Sequence, residues 1–221
     1  MKPLLFIGLL FCFETKTFCQ HAATANADSI LAWLKDGNNE FVRGEFNVHG
    51  IDSSLRIEVS TAQHPRAVIL ACSDSRVPPE LIFDKGLGDL FVIRVAGNIL
   101  DDAVIASIEY AVEHLHTPLV VILGHKNCGA IAAAVADMQD PDNKIDNHIR
   151  SLTDKIEQAV ISVNLKEDDI NQKALLSNVI FTISSLRQSR PVLNEAVKKG
   201  ELKITGAVYD ISTGKVQWLE Y

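Results

Sequence analysis

Three nearly unbroken apolar runs set the architecture: AVILAC at residues 67–72, DLFVIRVAG at 89–97 and PLVVILGH at 118–125. A strand with one wet face alternates apolar and polar residues, whereas a run that is apolar throughout belongs to a parallel strand covered on both sides. The segments between and after them read as helices. Asp101 caps the stretch DAVIASIEYAVEHLH, which Pro118 ends, and CGAIAAAVADM opens a helix directly after the third run. Residues 148–165 and 169–189 carry amphipathic spacing, and Pro191 suits the first turn of a further helix closed by Gly200. The last segment, LKITGAVYDISTGKVQWLEY, has two alternating stretches around STG, a strand followed by a hairpin. The fold class is therefore α/β, with a central, mainly parallel sheet flanked by helices. Near the N-terminus, Ile30, Leu31, Leu34, Phe41 and Val42 recur at helical spacing around Gly37, which predicts an arm of two short helices. Residues 47–65 read as loop or irregular helix.

With 221 residues, 47% of them hydrophobic, the chain can bury one sizeable core, so residues 20–221 are expected to form a single domain. A formal net charge of -7 excludes a sequence-independent nucleic-acid binder, which needs a basic face. The opening MKPLLFIGLLFCFETKTFCQ has Lys2 ahead of an apolar stretch from Leu4 to Phe13, too short to span a bilayer. It reads as a signal peptide over residues 1–19, with cleavage after Cys19 or as late as Ala23. The mature protein would be exported, to the periplasm, with no stable membrane insertion once the signal is removed.

Of the cysteines, only Cys72 and Cys128 survive that cleavage. Cys72 closes the first apolar run, and His125 and Cys128, in GHKNCGA, close the third. Ligands gather beyond the carboxyl ends of strands in such sheets. Two thiolates and an imidazole form the three-ligand set of a catalytic zinc ion, with a fourth position left for water. A disulfide between Cys72 and Cys128 is the alternative, and spacing alone leaves both open. Asp74 and Arg76, two residues apart in ACSDSRVPPE, suit a bidentate carboxylate–guanidinium pair beside the metal. There Asp74 either accepts a hydrogen bond from the zinc-bound hydroxide or, freed from Arg76, takes the fourth position itself.

The segments ACSDSRVPPE, GDLFVIRVAGN, ASIEYAV and GHKNCGA, with LKDGNNEFVRG and GAVYDISTGKV more weakly, resemble the β-class carbonic anhydrases over residues 30 to 220. The resemblance implies one Zn2+ per chain on Cys72, His125 and Cys128, with Asp74 and Arg76 as the catalytic dyad. It implies reversible hydration of carbon dioxide to bicarbonate and a proton by zinc-bound hydroxide, with the Gly129 N–H near the substrate oxygen. It also implies a homodimer or homotetramer whose active sites lie near the subunit interface, the N-terminal arm embracing the partner; Trp33, Leu34 and Phe41 suit burial there or in the chain's own core. Relatives commonly carry a glutamine shortly before the arginine matching Arg56, where this chain has Ile51. His114 and His116 are candidate proton shuttles; His49, His64 and His148 receive no role. Rival readings are a carbonyl sulfide or carbon disulfide hydrolase on the same scaffold, a non-catalytic zinc protein with Asp74 in the fourth position, and a disulfide-stabilised binding module.

Overall fold

A computed structural model describes residues 26–45, 52–140, 142, 145–166 and 168–220. The expected signal peptide, His49 and Ile51 lie outside the described residues. The described strands, β1 (Ala67–Ala71), β2 (Leu90–Arg94), β3 (Leu119–His125), β4 (Lys203–Tyr209) and β5 (Val216–Trp218), form one sheet in the order β2-β1-β3-β4-β5. All pairs are parallel except β4 with β5. The three apolar runs thus become three adjacent parallel strands, and the C-terminal hairpin adds the antiparallel edge. No helix among the described residues is long and apolar enough to cross a membrane.

Because side chains alternate across a strand, each apolar run feeds two cores. Val68, Leu70, Val120, Ile122, Ile204 and Val208 face α4 (Asp102–Glu113), α7 (Ile170–Gln188) and α8 (Val192–Lys198). Ala67, Ile69, Ala71, Leu119, Val121 and Leu123 face α1 (Ala27–Arg43) and the short α3 (Pro79–Ile82). Burying each large aliphatic side chain contributes about 1.5–3 kcal/mol, so the central strands are the most firmly held part of the chain. A third cluster collects at the strands' carboxyl end, where Cys72 and Cys128 pack with Ile131, Ile156 and Val160 of α5 (Gly129–Gln139) and α6 (Arg150–Val160).

The N-terminal arm differs from its expectation. α1 runs as one helix through Gly37, whose Cα lies so close to α3 that an added Cβ would sit 1.8 Å from the Phe83 carbonyl oxygen. Glycine is there for close approach, not to break the helix. Asn38, the next residue, donates to the carbonyls of Ile82 and Gly214 and accepts from Val216 N–H, tying the arm to its own hairpin. α2 (Ser53–Glu58), capped by Asp52, occupies part of the segment read as irregular. The Asp101 cap is as expected, its carboxylate accepting from Val104 N–H at 2.8 Å, but α4 ends at Glu113 because the chain turns through His116 at φ +56° before β3. α6 likewise begins at Arg150 and ends at Val160, inside the stretch read from the sequence.

Candidate metal centre

β1 has β2 on one side and β3 on the other, so the chain order reverses between β1 and β3, and a crevice opens beyond their carboxyl ends. Cys72 follows the last residue of β1, His125 is the last of β3, and Cys128 caps α5 after a tight turn through Asn127 at φ +57°. One ligand atom from each of Cys72, His125 and Cys128 lies within 4.8 Å of the others, and all three residues are buried. Both cysteines are free thiols, so the disulfide alternative does not hold.

The imidazole is set for a ligand. His125 Nδ1 lies 3.0 Å from the Lys126 carbonyl oxygen, which requires the proton on Nδ1 and leaves the lone pair on Nε2. Nε2 is buried and has no hydrogen-bond partner among the described residues. A buried nitrogen of this kind is costly unless something fills its acceptor position. Two soft sulfurs beside it complete a donor set that fits a divalent metal ion. The Cys128 thiol, ahead of the Gly97 N–H, pulls the neighbouring Cys72 thiol below the ordinary thiol range against the cost of its burial, and Cys128 is pushed up.

Asp74 approaches from the β1 side, its Oδ2 3.9 Å from His125 Nε2. Arg76 engages both carboxylate oxygens, with Nε at 2.9 Å from Oδ1 and Nη2 at 2.7 Å from Oδ2, while its backbone N–H reaches Oδ1 at 3.0 Å. That guanidinium holds the Asp74 carboxyl well below the usual carboxylate range. Gly129, the first residue of α5, borders a cavity of about 460 Å³ lined also by His125, Cys128, Asp168 and Asp169.

Supporting residues that the sequence did not single out complete the centre. Arg94, at the end of β2, donates to the carbonyls of Cys72 at 3.1 Å and Asp74 at 2.6 Å, fixing the loop that bears both. Gly97 N–H points at Cys72 Sγ at 3.3 Å, and Asn178 of α7 holds the Gly97 carbonyl at 2.9 Å. The structure does not bring the candidate shuttles His114 and His116 to this centre within the chain. They sit just before β3, at the opposite end of a strand spanning about 20 Å.

A family model described as carbonic anhydrase matches residues 67–216. The chain belongs to the carbonic anhydrase family. It is 36% identical over 196 residues to carbonic anhydrase 2 of Mycobacterium tuberculosis, covering 86% of this chain and 92% of that one. The carbonic anhydrase of Mycolicibacterium smegmatis is 35% identical over 202 residues, covering 87% and 94%. Among solved structures, a tetrameric β-carbonic anhydrase from Sordaria macrospora superposes with a TM-score of 0.68 at 25% identity, covering 87% of this chain and 98% of that one. A β-carbonic anhydrase of Aspergillus fumigatus gives 0.66 at 27% identity, covering 87% and 90%. The fold of this carbonic anhydrase is that of the β class.

Proposed function

We propose that this carbonic anhydrase hydrates carbon dioxide reversibly to bicarbonate and a proton, using one zinc ion per chain held by Cys72, His125 and Cys128. The observation that carries the reading is the buried, unpartnered His125 Nε2 beside two free thiols. When bound, such an ion supplies Lewis acidity, lowering the pKa of water enough to provide hydroxide near neutral pH. The protein's own residues do the rest. The Lys126 carbonyl fixes the His125 ring so that Nε2 stays available to the ion. Asp74 accepts a hydrogen bond from the attacking oxygen and turns its lone pair toward the substrate carbon. Arg76 keeps Asp74 ionised, and because it occupies both carboxylate oxygens, the arrangement favours Asp74 as that acceptor over Asp74 as a fourth metal ligand. The Gly129 N–H would stabilise charge developing on a substrate oxygen, a role supported by its position at the positive end of α5.

The protein is further proposed to work as a homodimer or homotetramer. β2 is a half-exposed apolar strand at the sheet edge, and Leu81, Leu87 and Tyr110 are exposed at 56%, 48% and 47%. An unpaired edge beside exposed apolar residues favours burial against a second copy. Export to the periplasm after removal of residues 1–19 rests on the apolar stretch behind Lys2.

Stopped-flow hydration of carbon dioxide, run with zinc analysis of the purified protein, tests the reading. Activity that tracks bound zinc supports it; a fully zinc-loaded protein that hydrates carbon dioxide no faster than buffer refutes it. Sedimentation equilibrium tests the assembly, and N-terminal sequencing of protein recovered from the periplasm tests the processing.

A further inference from the structure

We infer that the Lys126–Asp210 ion pair is a positioning device for the metal centre: it holds the carbonyl that sets the His125 tautomer. The inference rests on the metal-centre reading above. The ring nitrogen that would meet the ion is Nε2, and its availability depends on Nδ1 donating to the Lys126 carbonyl at 3.0 Å. That carbonyl belongs to the peptide leading into Asn127, whose φ of +57° lies in the left-handed region that residues other than glycine seldom occupy. A turn of this kind keeps its shape only if its neighbours hold it.

Lys126 is held at two points, both on adjacent residues of the β4 end. Its N–H donates to the Tyr209 carbonyl at 2.9 Å, carrying the β3–β4 ladder one step past His125. Its ammonium meets Asp210 Oδ2 at 2.7 Å. Asp210 is itself fixed, accepting from Ser212 N–H at 2.9 Å and Ser212 Oγ at 2.6 Å on the other oxygen, while its N–H bonds the Lys215 carbonyl at 2.9 Å. A chain of contacts therefore runs from the C-terminal hairpin through Asp210 and Lys126 to the imidazole. The two anchors hold the Lys126 Cα, from which that carbonyl projects, so losing the ion pair leaves the carbonyl's position against Nδ1 resting on the Tyr209 bond alone. The Lys126 side chain is 43% exposed, so a purely structural ion pair there would contribute little to stability. Its consequence is expected at the metal.

The test uses the full chain and four variants: Lys126→Met, Asp210→Asn, the two combined, and Lys126→Arg. Zinc affinity is read by competition with a chelator, and the visible spectrum of the cobalt(II)-substituted protein reports ligand geometry. Groups that orient a metal-bound histidine typically affect metal affinity by 10- to 100-fold. Each single loss should weaken zinc binding by about tenfold, at the lower end of that range, and shift the cobalt spectrum. The double variant should lose no more than either single one, because the two residues act as a unit, and Lys126→Arg should restore most of the affinity. Wild-type zinc affinity in both single variants, or losses that sum in the double, overturns the inference while leaving the metal centre intact. A wild-type protein that binds no zinc overturns the centre and the inference together. Lys126→Met, at an exposed position, keeps the test available should Asp210→Asn fail to fold.

Discussion

At the end of β3, His125 is fully buried, Cys128 is 6% exposed, and the turn between them is held by backbone bonds and by α5. At the end of β1, Cys72 is equally buried, but two and four residues later Asp74 and Arg76 reach solvent, the Arg76 side chain being 51% exposed. One half of the site is set by core packing, the other by a charged pair at the water's edge. Packing fixes where the ligand atoms lie, because moving them would open cavities in the cluster around Ile131 and Ile156. The charged pair can be changed with little effect on the fold, so its alterations should register in chemistry rather than in stability or metal content.

That contrast can be broken most forcefully at the ligands. Cys128→Ser or Cys72→Ser should abolish bound zinc and hydration together, read by metal analysis and stopped flow; a serine variant that keeps stoichiometric zinc would place the metal elsewhere. Asp74→Asn comes next. It should retain the metal and the wild-type thermal midpoint while kcat falls roughly 10²- to 10⁴-fold, the range expected for a lost proton-accepting group. Normal turnover in that variant would remove Asp74 from the chemistry. Gly97→Ala probes the packed half. At φ +72° an alanine is strained, and its Cβ would lie 2.8 Å from Ile156 Cδ1, so a loss of about 1–3 kcal/mol in denaturant unfolding is expected, with displacement of the N–H that points at Cys72.

The smallest effect concerns α5 and α6, which cover the ligands. Burial, then the neighbouring Asp137 carboxylate, raises the Glu157 carboxyl above its ordinary value, despite Arg150 nearby. A carboxyl whose pKa is raised in the fold contributes stability below its unfolded value of about 4.3 and loses it as pH rises through the folded value. Glu157→Gln should therefore gain stability relative to wild type at neutral and alkaline pH, with the gain vanishing at pH 3. A pH-independent difference in thermal midpoint between the two proteins would show that the carboxyl pair is not the cause.

Much of this was legible in the residues. Unbroken apolar runs could form only strands covered on both faces, and that placed Cys72 and His125 on neighbouring strand ends. Asp101 announced its helix because a cap acts within three residues. What escaped acts over long sequence separations through backbone atoms. Arg94 grips two carbonyls from 20 and 22 residues away, and Asn178 holds the Gly97 carbonyl from 81 residues away. No local period marks such contacts. Gly37 was misread for a related reason: in isolation a glycine lowers helix propensity, and only the approach of α3 shows why the helix needs it.

The central claim is that Cys72, His125 and Cys128 share one metal ion, and X-ray absorption at the zinc edge of the purified protein tests it most directly. The expected shell has two sulfur neighbours at about 2.3 Å, one imidazole nitrogen at about 2.0–2.1 Å and one further light atom. A zinc shell without sulfur, or a zinc-free protein whose two thiols are joined to each other, would contradict it.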